Sequence, residues 1–180
     1  MSKIIVLVGS ERKNGNTERL VQAFCKGASQ NNDIEIISVR EYKVKACVGC
    51  NTCFDRPEHD CFQDDDMRII YEKIAGADIL VIASPVYFYG ISSQLKAIVD
   101  RLHTPKRDSF KLKKMALLLV AASTLPEVFD AIKLQYQMVL NFFKIENAGM
   151  VLVRGVKNTG DIENTEALDE AFLLGASIEA

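Results

Sequence analysis

The sequence predicts an α/β protein, an open sheet of five parallel strands with helices on both faces. Three observations predict it. Apolar runs alternate with amphipathic helical stretches along the whole chain. Several runs are apolar on both faces, as strands buried in a parallel sheet must be. The first run stops at Gly9 in a polar loop with two glycines, and a helical pattern with Leu20, Val21 and Phe24 on one face follows.

Each element has its own signal. Lys3–Val8 reads as a buried strand, Asn16–Ser29 as an amphipathic helix and Asp33–Val39 as a second strand. Val44–Gln63 reads as a cysteine-bearing loop. Asp64–Ala75 is expected to be a helix, because aspartates in its first turn suit the helix dipole. Asp78–Ser84 is a continuous apolar strand, and Ser92–His103 a helix with Leu95, Ile98, Val99 and Leu102 at core spacing. Lys114–Ala121 is another all-apolar strand. Pro126–Phe143 is a long helix opened by proline, Ala148–Arg154 the last strand and Thr165–Ile178 a closing helix. No repeat, low-complexity tract or linker interrupts the series, so residues 1–180 are expected to form a single domain.

The totals narrow the function classes. A chain of 180 residues with 48% hydrophobic residues supports one sizeable core and is too apolar for disorder. A net charge of -2 without a basic or acidic block argues against a nucleic-acid partner. The longest apolar runs, near Ile79–Ala83 and Met115–Ala122, fall far short of a membrane span. The chain enters its first strand with no cleavable apolar segment or Arg-rich presequence, so the cytoplasm is the expected location. Five cysteines in such a chain read as metal-binding, redox or incidental thiols, not as a disulfide frame.

In sheets of this kind ligands bind at the carboxyl ends of the strands. Three loops therefore matter: Gly9–Thr17, Pro85–Gly90 and the loop after Ala121. In the first, a helix N-terminus offers free amides and partial positive charge to an anion. Ser10, Asn16 and Thr17 can add donors and Arg12 a charge. The NTPase loop is excluded, because five residues separate Gly9 from Gly15 and Asn16 stands where its lysine would be. The G-x-G-x-x-G fingerprint is absent. What remains suits a monophosphate; the plain alternative is a capped helix start that binds nothing. The second loop, S-P-V-Y-F-Y-G, sets Val86, Tyr87, Phe88 and Tyr89 at a strand end, with Pro85 stiffening the exit and Gly90 letting the chain turn into the next helix. An apolar shelf beside a phosphate cradle suits an anionic tail carrying a flat ring, as in FMN. Alternatively, the aromatics cover a sheet edge or an oligomer interface.

The motif G-S-x-R-x-x-G-N-T at Gly9–Thr17, with S-P-V-Y-F-Y-G and S-Q-L-K-A-x-x-D-R at Ser84–Arg101, resembles the flavodoxin-like NAD(P)H-dependent FMN reductase family. The closing segment GVKNTGDIENTEALDEAFLLG resembles that of many bacterial members. The resemblance implies a flavodoxin-like sheet of order 2-1-3-4-5. It implies that Ser10, Arg12, Asn16 and Thr17 bind the FMN phosphate and that Pro85, Val86, Tyr87 and Phe88 line the ribityl chain and isoalloxazine. Ser123 and Thr124 would belong to a third flavin-contacting loop, although some relatives carry glycines where this chain reads AASTLPEVF.

Cys47, Cys50, Cys53 and Cys61 follow the spacing C-x₂-C-x₂-C-x₇-C. Three cysteines at intervals of three, with a fourth further on, can surround one cubic cluster. The pattern is similar to that of the iron–sulfur flavoproteins, a branch of the same broader family with a [4Fe–4S] cluster beside FMN; DDDM at Asp64–Met67 and YEKI at Tyr71–Ile74 also look like that branch. Zinc and a thiol–disulfide switch are the alternatives. Cys25, beside Phe24, reads as a core residue, His59 as an exposed loop residue, His103 as a helix-end cation, and Asp100–Arg101 as structural.

The expected function is an FMN-dependent oxidoreductase that passes electrons from NAD(P)H to a quinone, flavin or other small acceptor, with no catalytic side chain required. The other readings are an electron-transfer iron–sulfur flavoprotein that serves a redox protein partner, and a redox-sensing module. A homodimer or homotetramer is expected by resemblance.

Overall fold

The computed structural model describes residues 1–178. β1 (Lys3–Val8), β2 (Asp33–Ser38), β3 (Ile79–Tyr87), β5 (Lys114–Val120) and β6 (Glu146–Val153) form a parallel sheet of order β2-β1-β3-β5-β6. A two-residue strand, β4 (Gly90–Ile91), pairs antiparallel with the end of β3. Leaving β4 aside, the order is the expected one. The helices are α1 (Asn16–Ala28), α2 (Thr52–Asp55), α3 (Met67–Ala75), α4 (Ser93–Arg101), α5 (Asp130–Phe143) and α6 (Ala167–Ser177).

Strand periodicity divides the core into two layers. Ile4, Val6 and Val8 of β1, with Ile79, Val81 and Ala83 of β3 and Ala116, Leu118 and Val120 of β5, pack under α1 and α6. Ile5 and Leu7, with Leu80, Ile82, Met115, Leu117 and Leu119, pack under α3, α4 and α5. Both faces of the three central strands are therefore dry, which is why their sequences show no polar alternation.

The differences from the expected elements have physical causes. α3 starts at Met67, not Asp64, because the preceding aspartates are occupied with the neighbouring chain. Asp66 accepts from the Lys43 amide at 2.6 Å, and Asp65 accepts from the Lys45 and Met67 amides at 2.8 and 3.2 Å. Pro126–Phe129 forms a 3₁₀ turn before α5 begins. β6 begins at Glu146 and skips Ala148 opposite β5, where Met115 faces Asn147 and Ala116 faces Gly149. The cysteine loop contains one helical turn, α2. No helix among the described residues is long and apolar enough to cross a membrane.

Candidate functional site

The loops after β1, β3 and β5 lie side by side, because those strands are neighbours. The Gly9 amide donates to the Ala83 carbonyl at 2.8 Å, tying the first loop to the second strand end. A Cβ at Gly9 would stand 2.7 Å from Ser92 Oγ and 2.8 Å from Leu95 Cδ2, so only glycine lets the loop lie against the start of α4.

Gly15 precedes α1 in extended conformation and no side chain caps the helix. The first-turn amides thus open onto the loop with their share of the helix dipole, about half a positive charge. Ser10 and Thr17 are buried beside them. Ser10 Oγ accepts from the Arg12 amide at 3.2 Å, which curls the loop over the helix end. Arg12 itself is exposed. The Thr17 residue is only 2% exposed. Its hydroxyl makes no hydrogen bond among the described residues. Asn16 is placed differently from the sequence expectation of a phosphate ligand. Its Nδ2 donates to the Asn158 carbonyl at 2.8 Å and its Oδ1 accepts from the Gly160 amide at 3.0 Å. The side chain straps the segment after β6 to the cradle, and its backbone N–H remains at the open helix end. Glu18, one turn in, would repel an anion. Arg40 bonds its carboxylate at 3.0 Å, and that hydrogen bond holds the Glu18 pKa below the usual range. Asn158, Gly160 and Arg40 were not singled out in the sequence, because their role is visible only once β6 and β2 flank the loop.

The second loop is a hairpin. Val86 pairs with Ile91 and Tyr87 with Gly90, leaving Phe88 and Tyr89 as a two-residue turn with φ of 45° and 64°. Two left-handed central residues define a type I′ turn, whose favoured sequence is Asn-Gly. Phe88 and Tyr89 make the turn, and Gly90 lies in β4, just ahead of α4. Phe88 is 98% exposed and its ring meets Tyr89 edge-on at 6.0 Å. Strained bulky residues on a bare surface are characteristic of functional positions. Replacing Phe88 by Asn and Tyr89 by Gly together should stabilise the free protein by roughly 1–2 kcal/mol, read as a higher Tm. A Tm at or below that of the natural chain would mean that ring contacts outweigh the backbone cost. In the third loop, Ser123 accepts at its carbonyl from the Gly155 amide at 3.1 Å, and its Oγ accepts from the Leu125 amide at 3.2 Å. Thr124 is exposed beside it.

The cysteines form a second locus. Cys47, Cys50, Cys53 and Cys61 all line one cavity of about 110 Å³, with Tyr71, Arg101 and His103 in its wall. That is several times the space of one water. Gly49 and Asn51, at φ 67° and 61°, put two left-handed bends between the first and third of these cysteines. His59 Nδ1 lies 3.1 Å from the Cys53 carbonyl, and His103 is flanked by the Phe54 and Phe142 rings at 5.7 and 5.4 Å. The Thr52 hydroxyl beside Cys50 lowers its thiol pKa, and burial raises that of Cys53. No three metal-ligating side chains among the described residues converge closely enough to hold a single ion. Cys25 stands apart, packed against the α1–α6 core, and burial pushes its thiol up to about 11. The cradle adjoins the N-terminus of α4 and the cysteine cavity its C-terminus. A nine-residue helix separates them by about 14 Å.

A parallel sheet of this order, with an uncapped helix start and an apolar turn at its carboxyl edge, defines a flavodoxin-like α/β protein. The family model for NADPH-dependent FMN reductase matches residues 2–160, and the chain belongs to that family. An iron–sulfur flavoprotein of Methanocaldococcus jannaschii is 39% identical over 112 residues, covering 62% of this chain and 56% of that protein. YwqN of Bacillus subtilis, named as an NAD(P)H-dependent FMN-containing oxidoreductase, is 28% identical over 96% of both chains. Among solved structures, the Trp repressor binding protein of Bacillus subtilis superposes with a TM-score of 0.72 at 24% identity, over 98% of this chain and 99% of that one. The chain spans 45–60% of the length of the first iron–sulfur flavoproteins it matches.

Proposed function

We propose that this chain binds FMN and passes electrons from NAD(P)H to a small acceptor such as a quinone or free flavin. The observation that carries the reading is the open, uncapped α1 start, flanked by buried Ser10 and Thr17 and adjoining the aromatic hairpin. These groups fit a phosphate monoester attached to a flat ring: amides and hydroxyls for one end, Pro85–Phe88 for the other. The first-turn amides, Ser10, Thr17 and Arg12 hold the dianion. Asn16 keeps the cradle's outer wall in place through Asn158 and Gly160. The hairpin presents apolar surface to one face of the ring, and Ser123 and Thr124 border its far edge. When bound, FMN supplies the hydride and electron chemistry, so the chain need only bind, orient and leave one face accessible.

Purified protein should be yellow, release FMN on denaturation and oxidise NAD(P)H in the presence of a quinone. A colourless chain that ignores added FMN would remove the reading; bound FMN without nicotinamide turnover would leave a carrier, not a reductase. A homodimer or homotetramer belongs to the same proposal, supported by Leu134, Met138 and Phe142, exposed along one face of α5.

A second reading concerns the cysteines, and the shared cavity favours it. Four thiols around one cavity of about 110 Å³ match the four cysteine ligands that a [4Fe–4S] cluster takes. The cluster would hand single electrons to a redox protein partner. Iron and acid-labile sulfide after anaerobic purification test this. Zinc alone, or neither metal nor sulfide, would reject it.

A further inference from the structure

Arg101, the last residue of α4, is 4% exposed. One side of its guanidinium is fully engaged. Nη1 pairs with the Asp65 carboxylate, itself buried, and donates to the Lys45 carbonyl at 3.2 Å. The backbone carbonyl of Arg101 accepts from the Tyr71 hydroxyl at 2.6 Å. Its Nε–H is buried and has no partner among the described residues. A buried unpaired donor on a charged group is costly and calls for an explanation. Arg101 is also part of the wall of the cavity lined by the four cysteines. Finally, the C-terminal end of α4 brings its negative dipole to the same place, which disfavours an anionic occupant unless a cation offsets it.

We propose that Arg101 donates its Nε–H to sulfur of the iron–sulfur centre held by Cys47, Cys50, Cys53 and Cys61 and thereby raises the reduction potential of that centre. The inference rests on the iron–sulfur reading above. Hydrogen bonds to sulfur and nearby positive charge stabilise the more negative, reduced state of a cluster. The Asp65 and Lys45 contacts hold Nη1, which leaves Nε–H as a buried, unpaired donor on a side chain that lines the cysteine cavity. Lysine would keep the charge but has no second nitrogen to offer once its ammonium pairs with Asp65.

Removing Arg101 alone would strand the Asp65 charge in the interior, so the test removes both. The natural protein, the Arg101→Gln/Asp65→Asn double variant, Arg101→Lys and Asp65→Asn are purified anaerobically and reconstituted with ferrous iron and sulfide. Each is assayed for iron, sulfide and FMN content and titrated with dithionite and mediators while the cluster is followed by absorption and electron paramagnetic resonance. The expected order of midpoint potentials, from highest, is Asp65→Asn, natural protein, Arg101→Lys and the double variant. FMN content should stay unchanged, because the flavin cradle is at the other end of α4. If the double variant loads no cluster, the comparison is made on Arg101→Lys. Equal potentials in loaded natural and Arg101 variants would overturn the role of Arg101 and leave the iron–sulfur reading standing. Failure of the natural protein to take up iron and sulfide would overturn that reading, and this inference with it.

Discussion

Gly27→Ala should lower the stability of the protein by about 3 kcal/mol or more, a loss of roughly 6–12 °C in Tm for a chain of this size. α1 and α6 cross with their backbones in contact. A Cβ on Gly27 would stand 2.0 Å from the Phe172 carbonyl oxygen and 2.9 Å from the Ala176 nitrogen. The contact is reciprocal: a Cβ on Gly175 would stand 2.1 Å from the Phe24 oxygen and 2.9 Å from the Ala28 nitrogen. The obstruction at each site is helix backbone, so no side-chain rotation relieves it and the helices must move apart. Alanine is the better helix former by nearly 1 kcal/mol, so a loss of stability would isolate the packing term from propensity. α1 also carries the cradle at its other end. Displacing it should therefore loosen FMN binding even in the folded fraction. Thermal unfolding of Gly27→Ala and Gly175→Ala checks this, and a Tm within a degree or two of the natural value would mean that the helices separate freely.

This crossing also marks how far the sequence can be read. The strands were legible because residues such as Val81 and Leu118 lie between two layers and must be apolar regardless of detail. The cradle was legible because its donors lie within one stretch of nine residues, Gly9–Thr17. Gly27 was visible only as an unfavourable residue inside an amphipathic helix; its partner lies 148 positions away, on a helix that meets α1 only in the fold. The same separation hid Arg101. Read along α4 it is a structural helix-end residue, and only the folded chain brings Asp65, Lys45 and the cysteines to it. The hairpin shows a different limit. Glycine takes left-handed conformations at least cost, yet no glycine stands at the two central positions of this turn. The strand instead runs on to Tyr87, because Val86 and Ile91 pair and pack against the core, and this leaves the turn to Phe88 and Tyr89. Sequence propensity is thus overruled where the chain must present aromatic rings at the edge of the site.

Ser10→Ala combined with Thr17→Val should weaken FMN binding roughly ten- to hundredfold, the loss of about 1.5–3 kcal/mol of hydrogen bonding to a charged group. Two properties of the cradle make the experiment discriminating. The Thr17 hydroxyl has no partner among the described residues, so an isosteric valine takes nothing from the free protein, and Ser10→Ala gives up only the hydrogen bond from the Arg12 amide, so Tm should fall only slightly. The first-turn amides of α1 remain in the double variant, so binding should be weakened, not abolished. Riboflavin supplies the control, because it carries the same ring without the phosphate. A loss confined to FMN, with riboflavin affinity unchanged, places the phosphate against Ser10 and Thr17. An equal loss for both ligands would place the two residues at the ring or chain instead, and unchanged FMN affinity would put the phosphate outside the α1 cradle. The uncapped start of α1 would then not be the anion's seat, whatever the aromatic hairpin holds.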